Sequence, residues 1–145
     1  MIADEVTVQK IIAALENESL KYETYYKLII ATGMRRGECC GLKWSDIDYD
    51  RFVFRRNDSR DPMTPSTFTW QFKMILKKNE LPEKLNVHSL RHSNASLLVA
   101  NGTDVATVAS LLGYSQPSTT LGIYTHAFDK NKMAASEALH KDLDI

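Results

Sequence analysis

The chain has 145 residues, 43% apolar and 25% charged, and its 18 Lys+Arg are matched by 18 Asp+Glu. That length can bury a core without metal or disulfide staples, and the composition excludes a disordered chain. No apolar run reaches the ~18 residues that crossing a bilayer takes. The opening MIADEVTVQK lacks the basic-then-apolar pattern of a signal peptide, so the expectation is one cytoplasmic domain with no membrane partner.

Taken in order, Thr7 is placed to cap a first helix running to residue 17, with Val8, Ile11, Ile12 and Leu15 on one stripe. A second helix over residues 22–31 stops at Thr32-Gly33, and a short third spans residues 36–42. WSDIDYD is turn-like, because its Asp and Ser side chains compete for backbone hydrogen bonds. Phe52-Val53-Phe54 reads as the one strand, and no partner for it is identifiable; RRNDSRDP reads as a polar loop. Thr64-Pro65 starts a helix running to about residue 78, with proline at its first position. Further helices are expected over residues 89–100 and 105–112, the latter capped by Thr103 or Asp104 and ended by Gly113. A short helix towards residue 123 and a last one over residues 129–141 complete a mainly α chain with a vestige of β. The stripe Val105, Val108, Leu111 and Leu112 reads as core.

The charge is uneven. Lys+Arg number 6 against 9 Asp+Glu in residues 1–50, 9 against 4 in residues 51–92, and 3 against 5 in residues 93–145. A basic middle between mildly acidic flanks suits a local phosphate-facing surface, although a solvated helix face would look the same. Cys39 and Cys40 are the only cysteines. Neighbours on a helix point about 100° apart, so the two read as reduced, semi-buried residues and not as a disulfide.

VHSLRHSNASLL places His88 and Arg91 one helical turn apart. An arginine fork matches phosphate oxygens, and an imidazole moves a proton near neutral pH, so the pair makes sense around a phosphodiester. An exposed helix face with a satisfied histidine is the plain alternative. His88 and His92 also form an H-x-x-x-H pair, but no third ligand is evident, so no metal site is assigned. ATGMRRGECCGLKWSDID brings Arg35, Arg36 and Glu38 directly after a helix stop, and LLGYSQPSTTLGIYTH carries Tyr114, Tyr124 and His126.

Taken together and in order, these three stretches resemble the catalytic domain of the tyrosine recombinases, the phage integrase family, over residues 7–140. The resemblance implies a compact helical catalytic domain of the DNA breaking-rejoining type, of mainly α class within an α+β family, occupying residues 1–145. It implies site-specific DNA recombination, integrating or excising a mobile element on double-stranded DNA with no metal or nucleotide cofactor. Arg35 and Arg91 match the two arginines that grip the scissile phosphate, His88 matches the histidine of H-x-x-R, and Tyr124 matches the nucleophile. Attack by that tyrosine gives a 3′-phosphotyrosyl bond and a 5′-hydroxyl.

Three departures accompany it. Tyr114 stands where the family has His or Trp, as a hydrogen-bond donor of different reach. The β-hairpin bearing the family's catalytic lysine is missing near residues 50–52; Lys43 is not that lysine, and Arg55 and Arg56 are weak substitutes. The core-binding and arm-binding domains are also not represented. Met133, Ala134, Ala138 and Leu139 form an apolar face that, by the same resemblance, docks on another protomer of a tetrameric synapse, with self-packing as the alternative.

Glu38 is expected to orient an arginine or cap a helix, Arg36 to be a solvated helix position with a DNA contact as the alternative, His92 and His126 to be supporting groups, and Trp44 to be core. Two other readings stand beside the enzyme. ATVASLLGYSQPSTT is compatible with a non-catalytic helix-turn-helix module, which leaves ATGMRRGE and IYTH unexplained. A recombinase remnant acting only through protein contacts is the other.

Overall fold

The computed structural model describes residues 2–43, 46, 53–57 and 60–113. Among them the protein is mainly α, with six helices: α1 Glu5–Leu15, α2 Leu20–Thr32, α3 Arg36–Gly41, α4 Pro65–Lys78, α5 Val87–Ala100 and α6 Val105–Leu112. The chain forms two compact units, residues 1–93 and residues 94–145. The helices expected over residues 115–123 and 129–141, together with Trp44, Tyr114, Tyr124, His126 and the apolar face around Met133, lie outside the described residues.

In the first unit α1 packs on α2 and α4, and α3 packs on α2 and α4. Its centre is a cluster of rings. Tyr25 lies flat on Phe68, with centroids 3.5 Å apart and planes 6° from parallel. Tyr26 and Phe54 meet Tyr25 edge-on at 5.2 and 5.3 Å. Each such pair adds about 0.5–1.5 kcal/mol beyond the area it buries. Tyr26 Oη donates to the Phe68 carbonyl at 2.6 Å, which satisfies a hydroxyl that has no access to water. The cluster fixes the end of α2 and the start of α4, and so fixes the segment between α2 and α3.

Helix ends follow the local chemistry. The Asp4 carboxylate accepts from Thr7 N–H at 2.8 Å, so Asp4 and not Thr7 caps α1. Gly33 closes α2 in the left-handed region (φ 69°), where a side chain would be strained. Pro65 opens α4 as expected. α5 begins at Val87, two residues before the expected start, because Asn86 and Ser89 cap it reciprocally. Asn86 Oδ1 accepts from Ser89 N–H at 3.0 Å, and Ser89 Oγ accepts from Asn86 N–H at 3.2 Å.

The expected strand at residues 52–54 is corrected. Val53 and Phe54 are bends, and Phe52 lies outside the described residues. An antiparallel bridge joins Arg55 to Pro62, with Met63 N–H donating to Phe54 O at 2.9 Å and Val53 N–H to Leu42 O at 2.9 Å. The polar loop thus closes on itself and supplies the local partner that sequence pattern did not reveal. Lys21 Nζ ties the loop to α2 through Arg55 O at 3.0 Å and Asn57 Oδ1 at 2.8 Å.

In the second unit Ala95, Val99, Val108 and Leu112 pack together with Leu98 against them. Asp104 caps α6 by accepting from Thr107 N–H at 2.9 Å, and Gly113 ends it at φ 64°. Leu111 is 66% exposed and does not join the expected stripe; Ala109 is buried in its place. At about 100° per residue Val108, Ala109 and Leu112 fall within one arc of about 100°, and Leu111 lies about 60° outside it.

Candidate phosphate-binding groove

The turn that ends α2 delivers Arg35 in an extended conformation as the N-cap of α3. Glu38 then holds it twice. Its carboxylate accepts the Arg35 backbone N–H at 2.8 Å and the Arg35 guanidinium at 2.9 Å. These contacts, the backbone one foremost, hold the Glu38 carboxyl below the usual glutamate range against the opposing effect of burial. Glu38 therefore both caps α3 and orients Arg35. The pair is half exposed and works as an orienting contact more than as a source of stability.

Arg36 follows on the first turn of α3. Its Nη1 donates to Thr69 Oγ1 on α4 at 3.2 Å. Tyr25 Oη, from the ring cluster below, donates to the Arg36 carbonyl at 3.2 Å. Arg35, Arg36, Thr69 and His88 line one open groove of about 760 Å³, together with Met34 and Asn86. Arg36 is exposed, as expected of a solvated position, and it also forms part of this wall, which spacing alone did not reveal. The helical repeat sends neighbouring residues apart, but Arg35 is not yet helical, so two consecutive arginines reach the same groove.

His88 is exposed on the groove, whereas Arg91, one turn on, is 2% exposed. Arg91 Nη1 donates to the carbonyl of Gly33, so the guanidinium clamps the end of α2. Its charge still reaches the groove. Burial first, then Arg91, Arg36 and Arg35 in that order, depress the His88 pKa below the usual imidazole value. His92, half-buried, meets the His88 ring edge-on at 4.3 Å and is depressed in the same way, chiefly by burial and by His88. Both shifts favour the neutral imidazole.

Arg35, His88 and Arg91 are brought together from two helices into one positively charged locality. The other two candidates, Tyr114 and Tyr124, lie outside the described residues, as does the second half of the helix-turn-helix reading. Tyr25 and Tyr26 are fully buried, and burial drives their hydroxyls far above the usual phenol range, which removes both as nucleophiles. Cys39 and Cys40 are buried free thiols, and burial pushes Cys39 up to about 12, far from a reactive thiolate. Among the described residues no group of three His, Cys, Asp or Glu side chains is disposed to hold a metal ion, and no helix is long and apolar enough to cross a membrane.

A mainly helical unit with an arginine-lined groove is an architecture for meeting a phosphate. The chain belongs to the phage integrase family, whose sequence pattern matches residues 3–55 and 48–131. The tyrosine recombinase XerC of Corynebacterium glutamicum is 32% identical across 86% of this chain and 53% of the relative. XerC of Pediococcus pentosaceus is 29% identical across 82% of this chain and 54% of the relative. The chain therefore spans about half the length of the curated relatives it matches. In three dimensions it is similar to the XerA recombinase (TM-score 0.79, 21% identity, 93% of this chain and 63% of that one). It is also similar to the Tn1549 transposon integrase in complex with transposon right end DNA (TM-score 0.78, 17% identity, 100% and 66%).

The two matched segments overlap at residues 48–55, so the family pattern restarts there instead of running through. The Pediococcus pairing also carries positions that this chain lacks. It extends over 163 aligned positions, whereas 82% of 145 residues is about 119, so about 44 positions carry no residue of this chain.

Proposed function

We propose that this chain is the catalytic domain of a tyrosine recombinase, acting in the cytoplasm on double-stranded DNA to integrate or excise a mobile element. The observation that carries the reading is the groove itself, where Arg35 and His88 stand together over the buried charge of Arg91. A phosphodiester transition state gathers negative charge on its non-bridging oxygens, and preorganised arginines meet that charge without reorganising. Removing one such donor costs ~10²–10³ in rate in comparable oxyanion sites.

In this reading Tyr124 is the nucleophile. Its oxygen attacks the scissile phosphorus as its proton passes to a base, the bond from phosphorus to the 5′-oxygen breaks, and that oxygen leaves as a hydroxyl after taking up a proton. The product is a 3′-phosphotyrosyl bond, which a new 5′-hydroxyl attacks to rejoin the strand. An unperturbed phenol titrates near 10, so Tyr124 needs a base or a strong local positive potential to attack. Tyr114 donates a hydrogen bond to a phosphate oxygen. The interruption at residues 48–55 is read as loss of the hairpin whose lysine protonates the leaving oxygen, so cleavage is slowed more than binding. Other protomers are the natural protein partners, reached through the C-terminal segment.

The test is covalent trapping on a nicked suicide duplex. The unaltered chain is expected to give an adduct, at low yield, on the peptide containing Tyr124. Tyr124→Phe is expected to abolish it with DNA affinity nearly unchanged, and Tyr114→Phe to slow it on the same peptide. An adduct on Tyr114, or one that survives Tyr124→Phe, overturns the assignment. Restoring a lysine-bearing hairpin between Asp50 and Phe52 is expected to raise cleavage far more than affinity.

A further inference from the structure

We infer that Arg36 is a third phosphate-binding residue of the groove, holding a DNA phosphate beside the one met by Arg35, with Thr69 as its positioning residue. The inference deepens the proposed reading of the groove and rests on it.

Four observations support the assignment. First, Arg36 lines the same groove as Arg35 and His88, and its side chain is exposed there. Second, its direction is set before any ligand arrives. Thr69 Oγ1 donates to Pro65 O at 3.0 Å, which commits the hydroxyl proton and leaves the oxygen to accept from Arg36 Nη1. From beneath, Tyr25 pins the Arg36 carbonyl. A side chain held at both ends loses little freedom when it binds, so more of the contact energy appears as affinity.

Third, the two neighbouring arginines are held by different chemistry. Arg35 is gripped by the Glu38 carboxylate, which offsets much of its charge, whereas Thr69 directs Arg36 through a neutral hydroxyl that offsets none. Fourth, Arg36 ranks ahead of Arg35 among the charges that depress the His88 pKa, in keeping with its place in the groove wall. A DNA strand presents successive phosphates along one surface, so two exposed arginines on one wall can each meet one.

The experiment is a duplex-DNA titration by fluorescence anisotropy across a salt series, with the His88 titration of the free protein followed by NMR. The chains compared are the unaltered one, Arg36→Gln, Arg36→Lys, Thr69→Val and Arg35→Gln. Arg36→Gln is expected to lower the salt slope by about one, to weaken binding to all sequences alike, and to raise the His88 pKa. Arg36→Lys keeps the charge and is expected to keep most of the slope and the depressed His88 pKa, which separates charge from a mere α3–α4 tie. Thr69→Val keeps the slope but weakens affinity by freeing the guanidinium. An Arg36→Gln slope equal to that of the unaltered chain overturns the inference. If Arg35→Gln lowers the slope while Arg36→Gln does not, the reading of the groove stands and the role of Arg36 falls. If the unaltered chain fails to bind at low salt, both fall.

Discussion

The ring cluster and the groove above it are built by opposite means. Tyr25, Tyr26, Phe68 and Phe72 are fully buried, and Tyr26 Oη is satisfied by the Phe68 carbonyl. The groove is lined by Arg35, Arg36 and His88, all exposed, with Glu38 directing Arg35, Thr69 directing Arg36 and the His92 ring against His88. Two groups connect the layers. Tyr25 reaches up to the Arg36 carbonyl, and Arg91 lies buried beneath the groove with its fork on Gly33. The contrast teaches that position and charge are supplied separately. Apolar rings set where the arginines sit, and the arginines set the potential. A change below should therefore alter stability without altering the His88 titration, and a change above should do the reverse.

The largest expected effect is Phe68→Ala. It removes the ring stacked on Tyr25, and chemical unfolding should show a loss of about 3–5 kcal/mol, as for large buried aromatics elsewhere. A loss under about 1 kcal/mol would mean that the cluster does not support the groove. Arg91→Lys keeps the buried charge but loses the fork on Gly33. It should cost about 1.5–3 kcal/mol while leaving the His88 pKa depressed. If stability holds and the His88 pKa rises instead, Arg91 belongs to the groove alone.

Tyr25→Phe deletes the bond to the Arg36 carbonyl and the weaker one accepted from the Cys40 thiol, with a loss of about 1 kcal/mol in the same unfolding assay. Because the contact joins the layers, DNA affinity should fall slightly as well; a fall in stability alone separates them further.

A smaller effect is the pH dependence. His88 and His92 bind protons less readily folded than unfolded, so the unfolded chain holds more protons just below the ordinary histidine pKa. Stability is full above that value and declines as pH falls from about 6.5 towards the lowered folded values. His92→Gln should flatten the slope in an unfolding series between pH 7.5 and 5. A flat profile in the unaltered chain removes the depressed imidazoles from the account. Carboxylates such as Glu38, with depressed values, lose their contribution only at lower pH, as pH falls through their folded values, so the windows are separable.

Much of this was legible in sequence where the chain carries its own punctuation. Thr64-Pro65, Thr32-Gly33 and Asp104 with Gly113 mark helix ends that the structure reproduces. The Asn86–Ser89 cap was passed over because either residue alone reads as an ordinary polar position. The antiparallel bridge at Arg55 and Pro62 is too short to leave an alternating pattern. In the groove, three-residue spacing was right for placing His88 and Arg91 on adjoining turns, but it cannot tell an exposed imidazole from a guanidinium buried against a carbonyl. Arg36 is exposed as expected, but spacing alone does not show that a residue just past a non-helical N-cap shares a wall with the arginine before it. Tyr114 and Tyr124 rest on motif resemblance alone.

The central claim is that the groove of Arg35, Arg36 and His88 receives a phosphate. The most direct measurement is the His88 titration by NMR, with and without a short duplex at low salt. In the free protein burial and three arginines hold the value below 6.5. A phosphodiester within about 4 Å is worth about 4 kcal/mol to a unit charge at an effective dielectric near 20, so it should outweigh the further loss of water. The account predicts that saturating DNA raises the His88 pKa and that added salt reverses the rise. A His88 pKa that stays put or falls while DNA is bound would place the phosphate elsewhere and contradict the account.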